Sequence, residues 1–239
     1  MAEPTVGVLG GVGPLATVYF LRRVIELTAA DTDQDHVDLL VCQHSSIPDR
    51  TAFLLGRSSA DPLPVLVQDA RLLAANGVGF IAMPCNTAHY LYEELAAQVS
   101  VPVLDLVDET VAAAQRAFPG LRRLGVLATD GTVHAGTYPQ ACRRRGIEAV
   151  VPDETVQSEV MDIIYAGVKA GRAVEPGRFQ AVVDHLRQRG CQAVALACTE
   201  LSVLAQDLGT TADVVDSVDV LARRTIELAG KRVRPEVST

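Results

Sequence analysis

Short apolar runs alternate with helical periods almost from the first residue. Residues 6–9, Val-Gly-Val-Leu, read as a buried strand, broken at once by Gly10-Gly11-Val12-Gly13-Pro14. A helix follows with Pro14 near its first turn. The spacing puts Val18, Leu21 and Ile25 on its inner face and turns Arg22, Arg23 and Glu26 to water. A second strand is predicted over 37–43, followed by the loop His-Ser-Ser-Ile-Pro-Asp-Arg-Thr. Another helix carries Leu66, Ala70 and Leu73 on one face and stops at Asn76-Gly77. Strands over 78–84 and 101–104 come next, with a helix beginning after Asn86 between them. Then the pattern restarts, with strands over 124–128, 147–151 and 193–197. The helix before the last of these turns Phe179, Val183 and Leu186 inward and closes at Gly190. Near-continuous apolar strands alternating with helices imply parallel sheets covered on both faces.

The two halves also correspond residue by residue. VGVLGGVG, starting at Val6, matches LGVLATDG, starting at Leu124; FIAMPCNTAHYL matches AVALACTELSVL, which pairs Cys85 with Cys198. The VLD that ends at Asp105 matches the VVD that ends at Asp216. Three ordered matches at nearly one offset predict a duplicated unit rather than a solenoid, whose repeats run to about 20–50 residues. The expected fold is α/β, two similar doubly wound parallel-sheet domains related by a pseudo-twofold axis, with the active site in the cleft between them. The first lobe is assigned 1–107 plus 218–239, the final helix folding back, and the second 108–217.

Composition narrows the function classes. The chain has 239 residues, 49% hydrophobic and 21% charged, which is ordinary globular protein with room for real cores. Aromatics are 4% and Trp is absent, so Leu, Val and Ala must build the interior. A formal charge of −8, with Arg143-Arg144-Arg145 as the longest basic run, excludes a nucleic-acid partner. No apolar run is long enough to span a membrane, and the opening residues lack the basic start of a signal peptide. Five cysteines without compact spacing argue against a disulfide framework and for a reducing cytoplasm. Cys42, Cys142 and Cys191 fit structural or surface positions.

Cys85 and Cys198 are different, because both fall where an apolar strand gives way to a helix: Met83-Pro-Cys85-Asn-Thr87 and Leu196-Ala-Cys198-Thr-Glu200. Ligands of open parallel sheets bind at the carboxyl ends of strands, so both thiols should face a cleft. With Asn86 and Thr199 as helix caps, the helix starts would favour thiolate and lower the thiol pKa. Two equivalent turns brought together by a pseudo-twofold axis would flank one small pocket with two activated thiols. Inverting a stereocentre by proton transfer requires a base on one face of the carbon and an acid on the other, and sulfur suits both roles.

GVLGGVGPLAT, SIPDRT, PCNTAH, LATDGT and ACTEL together resemble the aspartate racemase branch of the aspartate/glutamate racemase superfamily, over nearly the whole chain. Glu200 after Cys-Thr is similar to that branch, where glutamate racemases usually carry His, while Val12 stands where Met is common. The resemblance implies an isomerase, a cofactor-independent racemase with no pyridoxal phosphate and no metal. It makes Cys85 and Cys198 the catalytic pair and a small acidic amino acid, aspartate first, the substrate. Glutamate or a broader amino-acid range remains the alternative, and a homodimer is the expected assembly. It also implies Arg50 as a substrate contact and Lys169 as a residue near the distal carboxylate. Asn86, Thr87 and Thr199 are placed to donate toward an α-carboxylate whose charge grows during proton abstraction, Thr129 and Thr132 in the matching glycine loop add to them, and Glu200 is expected among the substrate-binding residues. Arg50 suits a side-chain carboxylate because guanidinium binds it bidentately. Lys169 by itself reads as a solvated helix-end charge, expected to move with a lid.

Other readings are weaker. Gly11-x-Gly13-x-x-Ala16 satisfies the dinucleotide fingerprint of an NAD-dependent oxidoreductase, but the second strand ends in Val41-Cys42-Gln43 without the required acid, and Asp38 lies at its start. Cys85, His89, His134 and Cys198 match no standard zinc spacing, and no third group orients a Cys–His hydrolase. A non-catalytic amino-acid-binding protein on the same frame would bind without exchanging the Cα proton.

Overall fold

A computed structural model describes residues 3–208 and 212–235. The first half runs β1 (Val6–Gly10), α1 (Pro14–Leu27), β2 (Leu39–Gln43), α2 (Arg50–Leu54), α3 (Leu63–Ala75), β3 (Phe80–Ala82), α4 (Tyr92–Ala96) and α5 (Leu106–Ala117). The second runs β4 (Arg123–Ala128), α6 (Asp130–Ala135), α7 (Thr137–Arg144), β5 (Glu148–Val150) and α8 (Glu154–Asp162). It continues with α9 (Pro176–Gln188), β6 (Ala193–Ala197), α10 (Thr199–Leu208), β7 (Val214–Asp216) and α11 (Ser217–Leu228). A 3-10 helix, Thr87–Leu91, follows β3, and a π-helix, Ile163–Val168, continues α8.

Two parallel sheets result, ordered β2-β1-β3 and β5-β4-β6-β7. The strand predicted over 101–104 contributes a single parallel bridge, Val103 opposite Ile81, flanked by Ile81 N–H to the Pro102 carbonyl and Leu104 N–H to the Ile81 carbonyl. Counting it, both sheets share one order. Their registers coincide too. Gly7 lies opposite Ile81 and Gly125 opposite Val194; Ile81 then meets Val103 as Val194 meets Val214. The sequence repeat is thus a repeat of pairing, and the pseudo-symmetric, doubly wound architecture follows from it. Gly7 and Gly125 show why glycine recurs at this position. A Cβ on Gly7 would stand 3.2 Å from Ile81 and 3.3 Å from Leu73, and one on Gly125 3.2 Å from Val194 and 3.1 Å from Leu186. Each lobe needs that gap to seat a helix on its central strand.

The predicted inner faces of α3 (Leu66, Ala70, Leu73) and α9 (Phe179, Val183, Leu186) are buried. That of α1 is not. Val18 is 58% and Ile25 55% exposed, while Ala16, Phe20, Val24 and Leu27 point inward. The helix carries two apolar stripes, and packing against β1 and α11 selects the one with the larger Phe20, rotating the face. Arg23, expected in water, instead makes a two-pronged pair with Asp219 on α11, Nε–Oδ1 2.5 Å and Nη2–Oδ2 2.8 Å. Val218, Leu221, Ala222 and Ile226 of α11 share a core with Val6, Val8, Phe20 and Leu104. Each fully buried Val, Leu, Ile or Phe side chain among them contributes about 1.5–3 kcal/mol. Chain order therefore does not match core membership: α5 puts Leu106 into this core but Val107, Val111 and Ala114 into the next. Of the range assigned to the first lobe, residues 1–2 and 236–239 lie outside the described residues. Among the described residues no helix is long and apolar enough to cross a membrane.

Candidate active site

Cys85 leaves β3 through a tight turn in which its own N–H donates to the Met83 carbonyl at 2.8 Å. Cys198 leaves β6 in the equivalent place, and its carbonyl accepts the amides of Leu201 (3.0 Å) and Ser202 (3.3 Å) at the start of α10. Both thiols are buried, and both line one pocket together with Arg50, Thr51, Asn86, Thr87, Thr129, Thr199 and Glu200. Lys169, Tyr165, Asp49 and Val12 complete its wall. Every residue expected in the site is therefore brought to this pocket, except Thr132, which stands one layer behind. The free space at its centre is about 20 Å³, room for little more than a water.

Three threonine hydroxyls stitch the lobes together beside Cys85. Thr87 Oγ1 lies 2.9 Å from Thr129 Oγ1 and 3.0 Å from Thr132 Oγ1, and Thr129 caps α6 through the Thr132 amide. Thr199 Oγ1 reaches back across the seam toward the Pro84 carbonyl at 3.5 Å. Asn86 does not cap the helix after it. Its residue is already helical, its Oδ1 accepts the Tyr138 hydroxyl at 2.6 Å, and its Nδ2 donates to Ser217 Oγ at 2.9 Å. Ser217 in turn donates to the Leu196 carbonyl at 2.7 Å, so one buried chain of hydrogen bonds joins the residue after Cys85 to the strand that delivers Cys198. His89 fixes the Cys85 turn from the other side, with Nδ1 2.7 Å from the Cys85 carbonyl and Nε2 accepting the Leu106 amide at 3.1 Å. Burial pushes its pKa down, which leaves a neutral ring donating through Nδ1.

The expectation of a helix-activated thiol needs correction at Cys198. Cys85 is followed by a 3-10 turn, Thr87–Leu91, that continues into α4. At Cys198 the thiol is pushed well above its ordinary pKa, first by burial and then by Glu200, whose Oε2 accepts the S–H at 2.9 Å. Lys169 opposes this but does not reverse it. Desolvation and a neighbouring carboxylate outweigh the helix start.

The two cations stand in different states. Arg50 begins α2, capped by Asp49, and donates Nη1 to the carbonyls of Ile47 (3.1 Å) and Pro48 (2.8 Å). Among the described residues it has no carboxylate partner within ion-pair distance. Lys169 stands at a helix end, partly open to solvent, and is paired as well: Nζ lies 2.7 Å from Glu200 Oε1 and 5.4 Å from the centre of the Tyr165 ring. The π-helix that ends at Lys169 is a local widening often found at functional sites. Sequence reasoning missed Tyr165, Asp49 and Thr51. Asp49 and Thr51 flank Arg50 in the same loop, and Tyr165 sits four residues before Lys169, so helical spacing from the known cation could have found it.

The glycine turn after β1 serves packing. A Cβ on Gly11 would fall 2.3 Å from the His44 backbone, and the Gly11 N–H is taken by Thr17 Oγ1 at 3.0 Å rather than left for a phosphate. Among the described residues no three His, Cys, Asp or Glu side chains are grouped to hold a metal ion.

Two facing lobes with a cysteine at the same turn of each, closing on one polar pocket, define a racemase of the two-lobed α/β class. Residues 9–225 match the Asp/Glu/Hydantoin racemase family, and the chain belongs to it, among isomerases that work without pyridoxal phosphate. The broad specificity amino-acid racemase RacX of Bacillus subtilis is 27% identical over 229 residues, covering 92% of this chain and 96% of that protein. The solved aspartate racemase of Picrophilus torridus is 30% identical, with a TM-score of 0.84 and 96% of each chain covered. An aspartate racemase homologue from Pyrococcus horikoshii, 24% identical with a TM-score of 0.76 over 95% of this chain and 99% of that one, shares the fold.

Proposed function

We propose that the protein racemises a small acidic amino acid, aspartate first, with Cys85 and Cys198 as its two proton-transfer groups. The observation that carries this reading is the shared pocket: two thiols from symmetry-equivalent turns, with Arg50 and Lys169 in the same wall. In one direction a Cys85 thiolate takes the α-proton from one face while the Cys198 thiol delivers a proton to the other. One S–H bond forms and one breaks, and the net change is configuration at Cα. The reverse direction exchanges the roles. Negative charge develops on the α-carboxylate during the transfer, and the hydroxyls of Thr87, Thr129 and Thr199 are the donors near enough to strengthen with it. Arg50, free of any carboxylate among the described residues, suits the side-chain carboxylate of the substrate.

The resemblance to the Picrophilus torridus aspartate racemase supports aspartate. That to RacX supports a second reading, a broader range of amino acids. A chiral assay of both enantiomers of acidic, amide and neutral amino acids, without added cofactor, separates them. Racemisation confined to dicarboxylic substrates is expected. Faster turnover of neutral amino acids would favour the broader reading, and none of any amino acid would defeat both. The protein is further read as cytoplasmic and as a homodimer. The outward stripe of Leu15, Val18 and Ile25 on α1 suits self-association. Ile25→Glu should then yield monomers in light scattering; a wild-type protein already monomeric would end that assignment.

A further inference from the structure

Glu200 is shared between two groups that the proposed reaction needs for other purposes. One oxygen, Oε1, holds the Lys169 ammonium at 2.7 Å; the other, Oε2, accepts the Cys198 thiol proton at 2.9 Å. Glu200 and Cys198 are buried, so their contact is made where water screens little, whereas Lys169 reaches Glu200 from the pocket's solvent side, its side chain 30% exposed. Lys169 and Glu200 both line the pocket, so a dicarboxylic substrate seated there meets their ion pair. An incoming side-chain carboxylate is chemically the same group as the one it would displace. Exchange on Lys169 leaves the cation paired with a carboxylate throughout.

We propose, on the strength of the racemase reading, that Glu200 is a positioning residue. It occupies Lys169 in place of the substrate's side-chain carboxylate and keeps Cys198 in its thiol form until that carboxylate arrives. The resting enzyme is then primed in one direction, with Cys198 as the acid. A carboxylate beside the sulfur disfavours thiolate and an ammonium favours it, so the two charges act on Cys198 with opposite sign. Glu200→Gln keeps a hydrogen-bond acceptor but removes the negative charge and the competitor for Lys169. Lys169→Met removes the cation and keeps the length of the side chain.

The test reads Cys198 directly. Alkylation of its peptide by iodoacetamide is timed by mass spectrometry at a fixed pH of about 8, below the midpoint of the raised thiol, where the rate follows the thiolate fraction. The rate should rise about tenfold or more in Glu200→Gln and fall about tenfold or more in Lys169→Met. Both rates unchanged, or both changed the same way, would overturn the proposal; a variant that merely loosens the pocket would change both alike. Should Glu200→Gln not fold, Glu200→Asp, which draws the carboxylate back from the sulfur, should also raise the rate, and an unchanged rate there would overturn the proposal. The exchange on Lys169 is read by substrate: in Glu200→Gln the KM for aspartate should fall several-fold while that for alanine stays put, and an unchanged ratio would overturn it. If the wild type racemises nothing, the functional reading fails by itself, the alkylation result still decides the role of Glu200 at Cys198, and calorimetric binding of aspartate to the wild type and Glu200→Gln replaces KM.

Discussion

Tyr138→Phe deletes a single oxygen from the seam between the lobes. That hydroxyl is fully buried on α7 and donates to Asn86 Oδ1 at 2.6 Å. Asn86 passes the chain to Ser217 Oγ at 2.9 Å and Ser217 to the Leu196 carbonyl at 2.7 Å. Ser217 has given its only proton to Leu196, so the amide of Asn86 must present Nδ2 to Ser217 and Oδ1 to Tyr138. It cannot flip to find another partner. The phenyl ring of the variant fills the same space, so no cavity opens, and the cost is that of leaving Oδ1 buried and unpaired, about 1–3 kcal/mol. For a chain of this size a kcal/mol moves Tm by about 2–4 °C, which puts the expected loss at roughly 2–12 °C. Urea unfolding should show a lower midpoint with unchanged slope. Because Asn86 stands between the Cys85 turn and the strand leading to Cys198, kcat should fall about tenfold, the result of a small displacement of reacting groups. A Tm within one degree of wild type, with kcat intact, would refute the idea that this chain of hydrogen bonds holds the two turns in place.

Arg50→Ala should raise KM for dicarboxylic amino acids by an order of magnitude or more while sparing neutral ones; equal losses for both in steady-state kinetics would remove Arg50 from side-chain recognition. Asp216, which accepts from Ser202 Oγ at 2.6 Å and caps α11, is pushed up to about 6 by burial and by Asp219. Its folded form therefore binds a proton more tightly than the unfolded chain. That contribution to stability is complete below the ordinary carboxylate value and is lost as pH rises through about 6. In thermal melts the advantage of wild type over Asp216→Asn should shrink between about pH 4 and 7, and a widening gap would reverse the sign of the argument. Gly131→Ala would put a Cβ 2.8 Å from Thr51 Oγ1 and 3.1 Å from Thr87 Cγ2. The overpacked seam should lose about 1–3 kcal/mol in denaturant titration, and a neutral substitution would show that the lobes are less tightly joined than their geometry implies.

Much of this architecture was legible because the inner strands β1, β3 and β6 are buried on both faces and each lobe repeats the other, while the edge strand β2 is half open to solvent. Cys85 and Cys198 could be paired by alignment of the halves alone, and the matching registers of Gly7 and Gly125 give that alignment its physical content. The face of α1 was not legible, since two apolar stripes compete and only the neighbouring α11 chooses between them. Lys169 was legible as a helix-end charge and, through the resemblance, as a residue of the site; its ion pair with Glu200 was not, because a π-helix precedes it and breaks the 3.6-residue period that places side chains. At Cys198 the relevant residue, Glu200, was in plain view two positions on. What the pattern lacked was depth: with the sulfur out of water, desolvation and the carboxylate govern it and the helix start does not.

Solvent exchange at Cα tests the two-thiol account most directly. With aspartate in deuterium oxide, wild type should form the opposite enantiomer carrying deuterium at Cα. Cys85→Ala and Cys198→Ala should each abolish racemisation, because each leaves one face of the carbon without a proton-transfer group. Sustained racemisation by either single variant would contradict the central claim.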